Sequence, residues 1–340
     1  MKKYIFWNNK GGTGKTTLCF HSIASYAQAH PQERILAIDL CPQANLSEIL
    51  LGGFSGNGGV NLISLWNNPN YRCSIGGYFE ERLSNPYTMP AGIVPGNYIS
   101  NPHTFNRNIP ANVKLICGDK IVELQSSFIA SLSNSQRPGR DSYMDVLMWL
   151  NDLLTVIEDD FDVVFIDTNP SFSIYTQIGL AVSGMLILPI MADDSSKRAI
   201  MNVMSLLYGI NLPSPIYQQY TFSSKLQANG HPLPTIHMVV KNRITQYMGA
   251  ASAYRIILDD IQAEVDNIRV GNAQLFTQNY STQEIRDFQT TGVVAAAEAK
   301  SFQTLIGDTR VRNIRGGNVQ LNAENINNCI DAINQIVSNL

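Results

Sequence analysis

Residues 9–17 read Asn-Lys-Gly-Gly-Thr-Gly-Lys-Thr-Thr, small side chains flanked by two lysines. Residues with little side chain let backbone N–H groups converge on phosphate oxygens, and a helix starting where the loop ends adds a favourable dipole. In that arrangement Gly11, Gly12, Thr13, Gly14, Lys15, Thr16 and Thr17 bind a nucleotide. Lys15 supplies positive charge to the β- and γ-phosphates, and the Thr16 hydroxyl ligates Mg2+. Phosphate chemistry of this kind needs a strand in front of the loop and a helix behind it.

Short apolar runs at 4–7, 35–39, 113–117, 162–167, 185–190 and 236–241 predict strands, and 18–29, 143–157 and 196–208 carry apolar residues at helical spacing. Runs that are apolar throughout belong to strands covered on both faces. The expected fold class is therefore α/β: a doubly wound, mostly parallel sheet flanked by helices, in a single domain over 1–340. Residues 52–112, dense in Gly, Pro, Asn and Tyr, predict an insertion after the second strand that carries short helices, 77–83 among them. It is expected near the nucleotide edge of the sheet, either extending a dimer interface through Tyr71, Tyr78 and Phe79 or receiving a partner protein. A minor insertion is expected at 213–234. A C-terminal packing helix is expected within 318–340, where Ile326, Cys329, Ile330, Ile333, Ile336 and Val337 recur at helical spacing.

The 340 residues are 44% hydrophobic and 15% charged, which describes a folded globular chain rather than a disordered one. A net charge of -3 excludes binding to nucleic acid through overall basicity and leaves room for a local basic patch. Cys19, Cys41, Cys73, Cys117 and Cys329 show no metal or disulfide spacing, so buried thiols in a reducing, cytoplasmic setting are expected. The N-terminus has no signal-peptide pattern, and no apolar run is long enough for a membrane span.

The ordinary pattern G-x-x-x-x-G-K-[ST] has glycine where this chain has Asn9, and it gives no role to Lys10. With that lysine the loop resembles the deviant Walker A motif, KGGTGKTT, of the ParA/MinD family of partition and positioning ATPases, most like the short ParA/Soj type. Residues 35–47 (ILAIDLCPQANLS) resemble the family's second-strand motif DxDPQxN, and residues 162–171 (DVVFIDTNPS) resemble its Walker B strand and switch. Residues 185–195 and 239–243 are similar to later strand ends of the family, so the likeness spans about 2–50, 113–210 and 235–310. It implies a P-loop NTPase fold, ATP and Mg2+ as cofactors, and an ATP-bound homodimer in which Lys10 reaches the partner's nucleotide. It also implies that Asp167 holds Mg2+ through water and that Asn242 meets adenine. A carboxylate at a strand's C-terminal end is independently what a doubly wound sheet selects, whereas a strand-end Asn also serves as a turn former.

The chain departs from the family at Cys41, which replaces the second carboxylate of DxDPQ while Asp39 occupies the first. In the family that second carboxylate is tied to the attacking water. A thiol accepts a proton and orients water poorly, so slow hydrolysis is expected, with Asp39 partly covering the catalytic role and contributing to the metal site. The other reading is a small residue tolerated because phosphoryl transfer rests on positioning and electrostatics. The catalytic candidates are thus Lys10, Lys15, Asp39 and Cys41.

The resemblance further implies non-specific binding of double-stranded DNA by the ATP dimer and release when a ParB-like adaptor or cargo protein stimulates hydrolysis. Arg269, Arg286, Lys300, Arg310, Arg312 and Arg315 are the DNA-binding candidates, the last three in a run from 309 to 323 without acids. No DNA-reading helical module is expected before Tyr4, and the binding expected is non-specific, with nucleoid association. Three competing readings stand beside this one. A membrane-cycling MinD-type ATPase is disfavoured by the uncharged end of the C-terminal helix, and a metal-cluster carrier or reductase would need converging cysteines. A weakly hydrolysing ATP-dependent scaffold is supported by Cys41.

Overall fold

The computed structural model describes residues 1–191, 193–244, 251–308, 310–314 and 316–340, with backbone alone at 194 and 251–254. Its eight-stranded sheet contains β1 (Lys2–Phe6), β2 (Ile35–Asp39), β3 (Ile99–Ser100), β4 (Val113–Ile116), β5 (Val163–Asp167), β6 (Met185–Met191), β7 (Thr235–Ile244) and β8 (Phe276–Arg286). The spatial order is β3-β4-β2-β5-β1-β6-β7-β8, and every pair is parallel except β3 with β4. The six apolar runs are its six central strands.

Every residue of β2 and β5 is buried, as expected for strands with helices on both sides. Side chains alternate between two cores: Ile5, Trp7, Leu36, Ile38, Val164 and Ile166 face one layer, and Tyr4, Phe6, Ile35, Ala37, Val163 and Phe165 the other. The first layer receives helices Ile75–Ser84, Trp149–Val156, Ile174–Leu180 and Asp194–Tyr208. The second receives helices Lys15–Ala29, Gln289–Glu298 and Ala323–Val337, the last through Ile326, Cys329, Ile333 and Ile336.

Three features depart from the sequence reading. The helical pattern over 143–157 is two helices, Ser142–Leu147 and Trp149–Val156, meeting at Met148. There Trp149 places its indole N–H on the Pro86 carbonyl at 2.7 Å, while its own carbonyl accepts a hydrogen bond from the Tyr78 hydroxyl. Strand β8 was not legible because it is an edge strand of polar sequence (FTQNYSTQEIR), paired only with β7 and mostly half-buried or exposed. The 52–112 stretch is built into both layers, Ile75, Tyr78, Phe79 and Tyr98 into the first and Leu62 and Ile109 into the second. Tyr78 and Phe79 are fully buried against their own chain and only Tyr71 is exposed, so Tyr78 and Phe79 are core residues rather than interface residues.

That stretch is fastened at several points. Ser74 caps helix Ile75–Ser84 by accepting from Gly77 N–H at 3.1 Å. Arg82, 1% exposed, pairs with Asp152 at 2.6 Å, and Arg72 meets the buried Asp119 at 2.7 Å. Near its two ends, Ser55 N–H donates to Ala297 O at 2.8 Å and the Asn106 amide to Ala299 O at 2.9 Å.

His21, on the helix behind the phosphate loop, is 1% exposed, stacks on Phe302 with centroids 3.7 Å apart, and has no hydrogen-bond partner at either ring nitrogen. Burial lowers its pKa to about 3. The unfolded chain binds this proton near pH 6.5 and the folded chain does not, so stability is lost as pH falls from about 6.5 toward 3. Urea unfolding at pH 8 and pH 5 should show the parent losing about 2 kcal/mol more than His21→Phe over that interval. Equal losses in the two proteins would remove His21 as the source.

Candidate functional site

The loop between β1 and helix Lys15–Ala29 is stapled before it turns. Asn8 is fully buried, its amide donates to Pro189 O on β6 at 2.8 Å, and its Oδ1 accepts from Lys10 N–H at 3.0 Å. Gly12 and Gly14 take positive φ of 75° and 88°, a region that L side chains rarely enter. A Cβ at Gly11 or Gly12 would meet nothing within 4 Å, so the loop is open above its glycines. A Cβ at Gly14 would fall 2.2 Å from the Asn242 amide nitrogen.

Asn242, at the end of β7, is 3% exposed, donates to Thr13 O at 2.9 Å and accepts from Arg243 N–H at 2.9 Å. Both ends of its amide are therefore used to hold the phosphate loop and its own turn. These bonds use one of its two N–H donors and one oxygen lone pair, so the geometry makes Asn242 a clamp on the loop and leaves one donor and one lone pair for the adenine contact implied by the resemblance.

The Lys15 ammonium lies 3.2 Å from Lys10 O, folded back across the loop, and burial lowers its pKa while Asp167 opposes that shift. Thr16 donates its hydroxyl to Asp167 Oδ2 at 2.7 Å. Asp167 is fully buried and its second oxygen, Oδ1, has no hydrogen-bond partner. In the sheet register Asp167 stands beside Asp39 on β2 and Phe6 on β1, so two carboxylates share adjacent strand ends beneath the loop.

Asp39 differs from its neighbour. Its oxygens accept from Cys41 N–H at 3.0 Å and from Ser47 N–H and Oγ–H at 2.9 and 2.8 Å, and Ser47 Oγ in turn accepts from Gly118 N–H at 2.8 Å. Burial raises the pKa of both acids; three hydrogen bonds to Asp39 offset that rise, whereas Asp167 is pushed up further by the charge of Asp39. Asp39 thus holds the turn after β2 with both oxygens, and only Oδ1, which accepts a single hydrogen bond, keeps a lone pair to offer a metal. Cys41 is 8% exposed, and burial followed by the Asp39 charge pushes its thiol up to about 12, so it is neutral near pH 7.

The unpartnered Oδ1 of Asp167, the Thr16 hydroxyl beside it and the open glycine cradle make a donor set that fits a hard divalent cation bound with phosphate. Lys10 lies at the rim, its ammonium paired with the Asp193 carboxylate and 3.3 Å from Ser196 Oγ. Thr17 is half-buried in the first turn of the helix.

The basic candidates are more scattered. Arg269 is exposed over the Tyr280 ring at 4.9 Å, and Arg286 is exposed at the end of β8. Lys300 pairs with Glu298 at 2.8 Å, Arg310 with Asp308 at 2.7 Å, and Arg312, only 8% exposed, with Glu298 at 2.6 Å and with Asp308. The run without acids in sequence is therefore compensated by acids in space, and Arg312 is turned inward. Arg315 lies outside the described residues. Sequence reasoning missed Asn8, Ser47, Gly118 and Asp193. Asn8 and Ser47 adjoin or fall within recognised motifs, whereas Gly118 is revealed only by contact: a Cβ there would sit 2.7 Å from Cys41 O.

A parallel sheet with a glycine loop after its first strand, a lysine and threonine opening the next helix, and an acid at a neighbouring strand end defines a P-loop ATPase. The family model for an AAA domain (AAA_31) matches residues 1–212, and the chain belongs to that family. Among solved structures, apo McdA from Cyanothece superposes over 98% of both chains with a TM-score of 0.61 at 13% identity. A plasmid partition protein of Borrelia burgdorferi bound to AMPPNP superposes over 100% of this chain and 99% of that one, with a TM-score of 0.52 at 14% identity. The fold is thus the ParA-type P-loop fold. A Rhizobium rhizogenes protein bearing the name replication protein A is 29% identical over 201 residues, 58% of this chain and 43% of its own length. This chain therefore spans less than half of that relative.

Replacing Asn242 by Ala separates the clamp from base recognition. Loss of the Thr13 contact should weaken ATP and GTP alike, by about five- to tenfold for one hydrogen bond, in equilibrium titrations with fluorescent nucleotides. A loss confined to ATP would restore the adenine role.

Proposed function

We propose that this chain is an ATP-dependent, dimerising ATPase for DNA partition or cargo positioning. The observation that carries the reading is the buried Asp167 with a free oxygen, joined to Thr16 under an open glycine loop. Asp167 and Thr16 would hold Mg2+, with the aspartate acting through water, and the cation would screen the phosphate charge of ATP. Backbone N–H groups of residues 11–17 and the Lys15 ammonium bind and orient the phosphates, while Asn8 and Asn242 fix the loop that presents them. Two chains closing on ATP would bury phosphate charge that neither neutralises alone, and Lys10 from each would complete the other's site. Nucleotide state then becomes an assembly switch.

Hydrolysis in this reading is slow. The Cys41 thiol is neutral and Asp39 is held by three hydrogen bonds from Ser47 and Cys41 N–H, so both are poor activators of water. Single-turnover hydrolysis should accelerate by about a hundredfold in Cys41→Asp, the lower end of the range for a general base. An unchanged rate would mean that residue 41 is not what limits hydrolysis. The same feature favours a second reading, a scaffold that uses ATP only to dimerise.

Non-specific duplex DNA is the partner proposed for the ATP dimer, with Arg269, Arg286 and Arg310 as the exposed candidates and the inward-turned Arg312 contributing less. A ParB-like adaptor or cargo protein would stimulate release. No described helix is long and apolar enough to cross a membrane. Filter binding of duplex DNA without nucleotide, with ADP and with ATP should show retention with ATP alone, abolished in Lys10→Ala and falling steeply with salt. Retention that ignores nucleotide, or survives in Lys10→Ala, would overturn the switch.

A further inference from the structure

Lys10 is fixed at its backbone and parked at its side chain. Its N–H donates to Asn8 Oδ1 at 3.0 Å and its carbonyl accepts from Lys15 Nζ at 3.2 Å. Its ammonium meets Asp193 Oδ2 and lies 3.3 Å from Ser196 Oγ, all within one chain. Asp193 divides its two oxygens. Oδ1 caps helix Asp194–Tyr208 by accepting from Ser196 N–H at 2.9 Å, and it also accepts from Ser195 Oγ at 2.7 Å. Oδ2 is given to Lys10. The Lys10 contact can therefore open without uncapping the helix, and only a side chain has to move.

We propose that Asp193 is a positioning residue that latches Lys10 in its own chain, so that dimerisation on ATP proceeds by exchanging this carboxylate for a phosphate of the partner's nucleotide. The inference rests on the reading of Lys10 as a residue that acts in trans, and it adds the competitor that sets how readily Lys10 does so. The pair is part-exposed, with 21% and 41% of the two side chains accessible. Such a pair lowers the fraction of free Lys10 side chain by about two- to fivefold. Two chains each release one lysine, so the apparent dimerisation constant carries the square of that factor, about 4- to 25-fold.

The discriminating variant is Asp193→Asn, because Asn caps a helix as well as Asp does and only the charge is removed. In nucleotide-free protein, amine labelling of Lys10 followed by mass spectrometry should speed up about two- to fivefold, with the other lysines unchanged. Sedimentation with Mg2+ and a non-hydrolysable ATP analogue should show dimerisation tightened by about 4- to 25-fold, the gap narrowing at high salt. Unchanged Lys10 labelling overturns the latch whatever the dimer does. Faster labelling together with dimerisation equal to or weaker than the parent's overturns the latch as a control on assembly. Faster labelling in the variant, with a parent that forms no ATP-dependent dimer, defeats the trans reading itself, and the latch's function with it.

Discussion

Two carboxylates buried side by side are the constraint from which the site follows. Asp39 and Asp167 end adjacent parallel strands, fully removed from water, and like charges so placed raise each other's cost of ionisation. The chain resolves the conflict asymmetrically. Asp39 receives three hydrogen bonds from the turn after its own strand, which fixes Ser47 and through it Gly118 at the end of β4. Asp167 receives one, from Thr16, and keeps an oxygen open toward the loop. The first acid is structural mortar and the second is a vacancy for charge, although both are aspartates at strand ends of similar sequence.

The sequence reveals most of what buried strands dictate and little of what edges and side-chain pairing dictate. The apolar runs of β1, β2, β4, β5, β6 and β7 stand out because helices cover both faces, whereas β8 has one neighbour and a polar sequence, and β3 is two residues long. The phosphate loop was legible because backbone convergence demands small residues at fixed spacing. The fates of Asn242, Arg312 and Lys10 were not, since each depends on a partner far away in the chain: Thr13, Glu298 and Asp193 respectively. Charge counted along residues 309–323 suggested a basic patch, but folding brings Asp308 and Glu298 onto it. A one-dimensional charge run says little about potential once the chain crosses back over itself.

The chain's length also reads differently in three dimensions. The described residues form one eight-stranded sheet with helices on both faces and a small two-stranded sheet of Arg312–Ile314 and Gly317–Val319, and the 52–112 stretch supplies core aromatics to the large sheet. Arg82 is buried deeply enough that its partner Asp152, on the helix of the first layer, is needed to make the insertion compatible with that core.

The two stitches from Ser55 and Asn106 land on one turn, at Ala297 and Ala299, and that turn also carries Glu298, the counter-ion of Lys300 and Arg312. The two ends of the 52–112 stretch are therefore drawn together on a single turn, which closes the stretch into a loop. Glu298, by pairing with Lys300 and Arg312, makes the same turn the meeting point of the 52–112 stretch and of the chain that follows it.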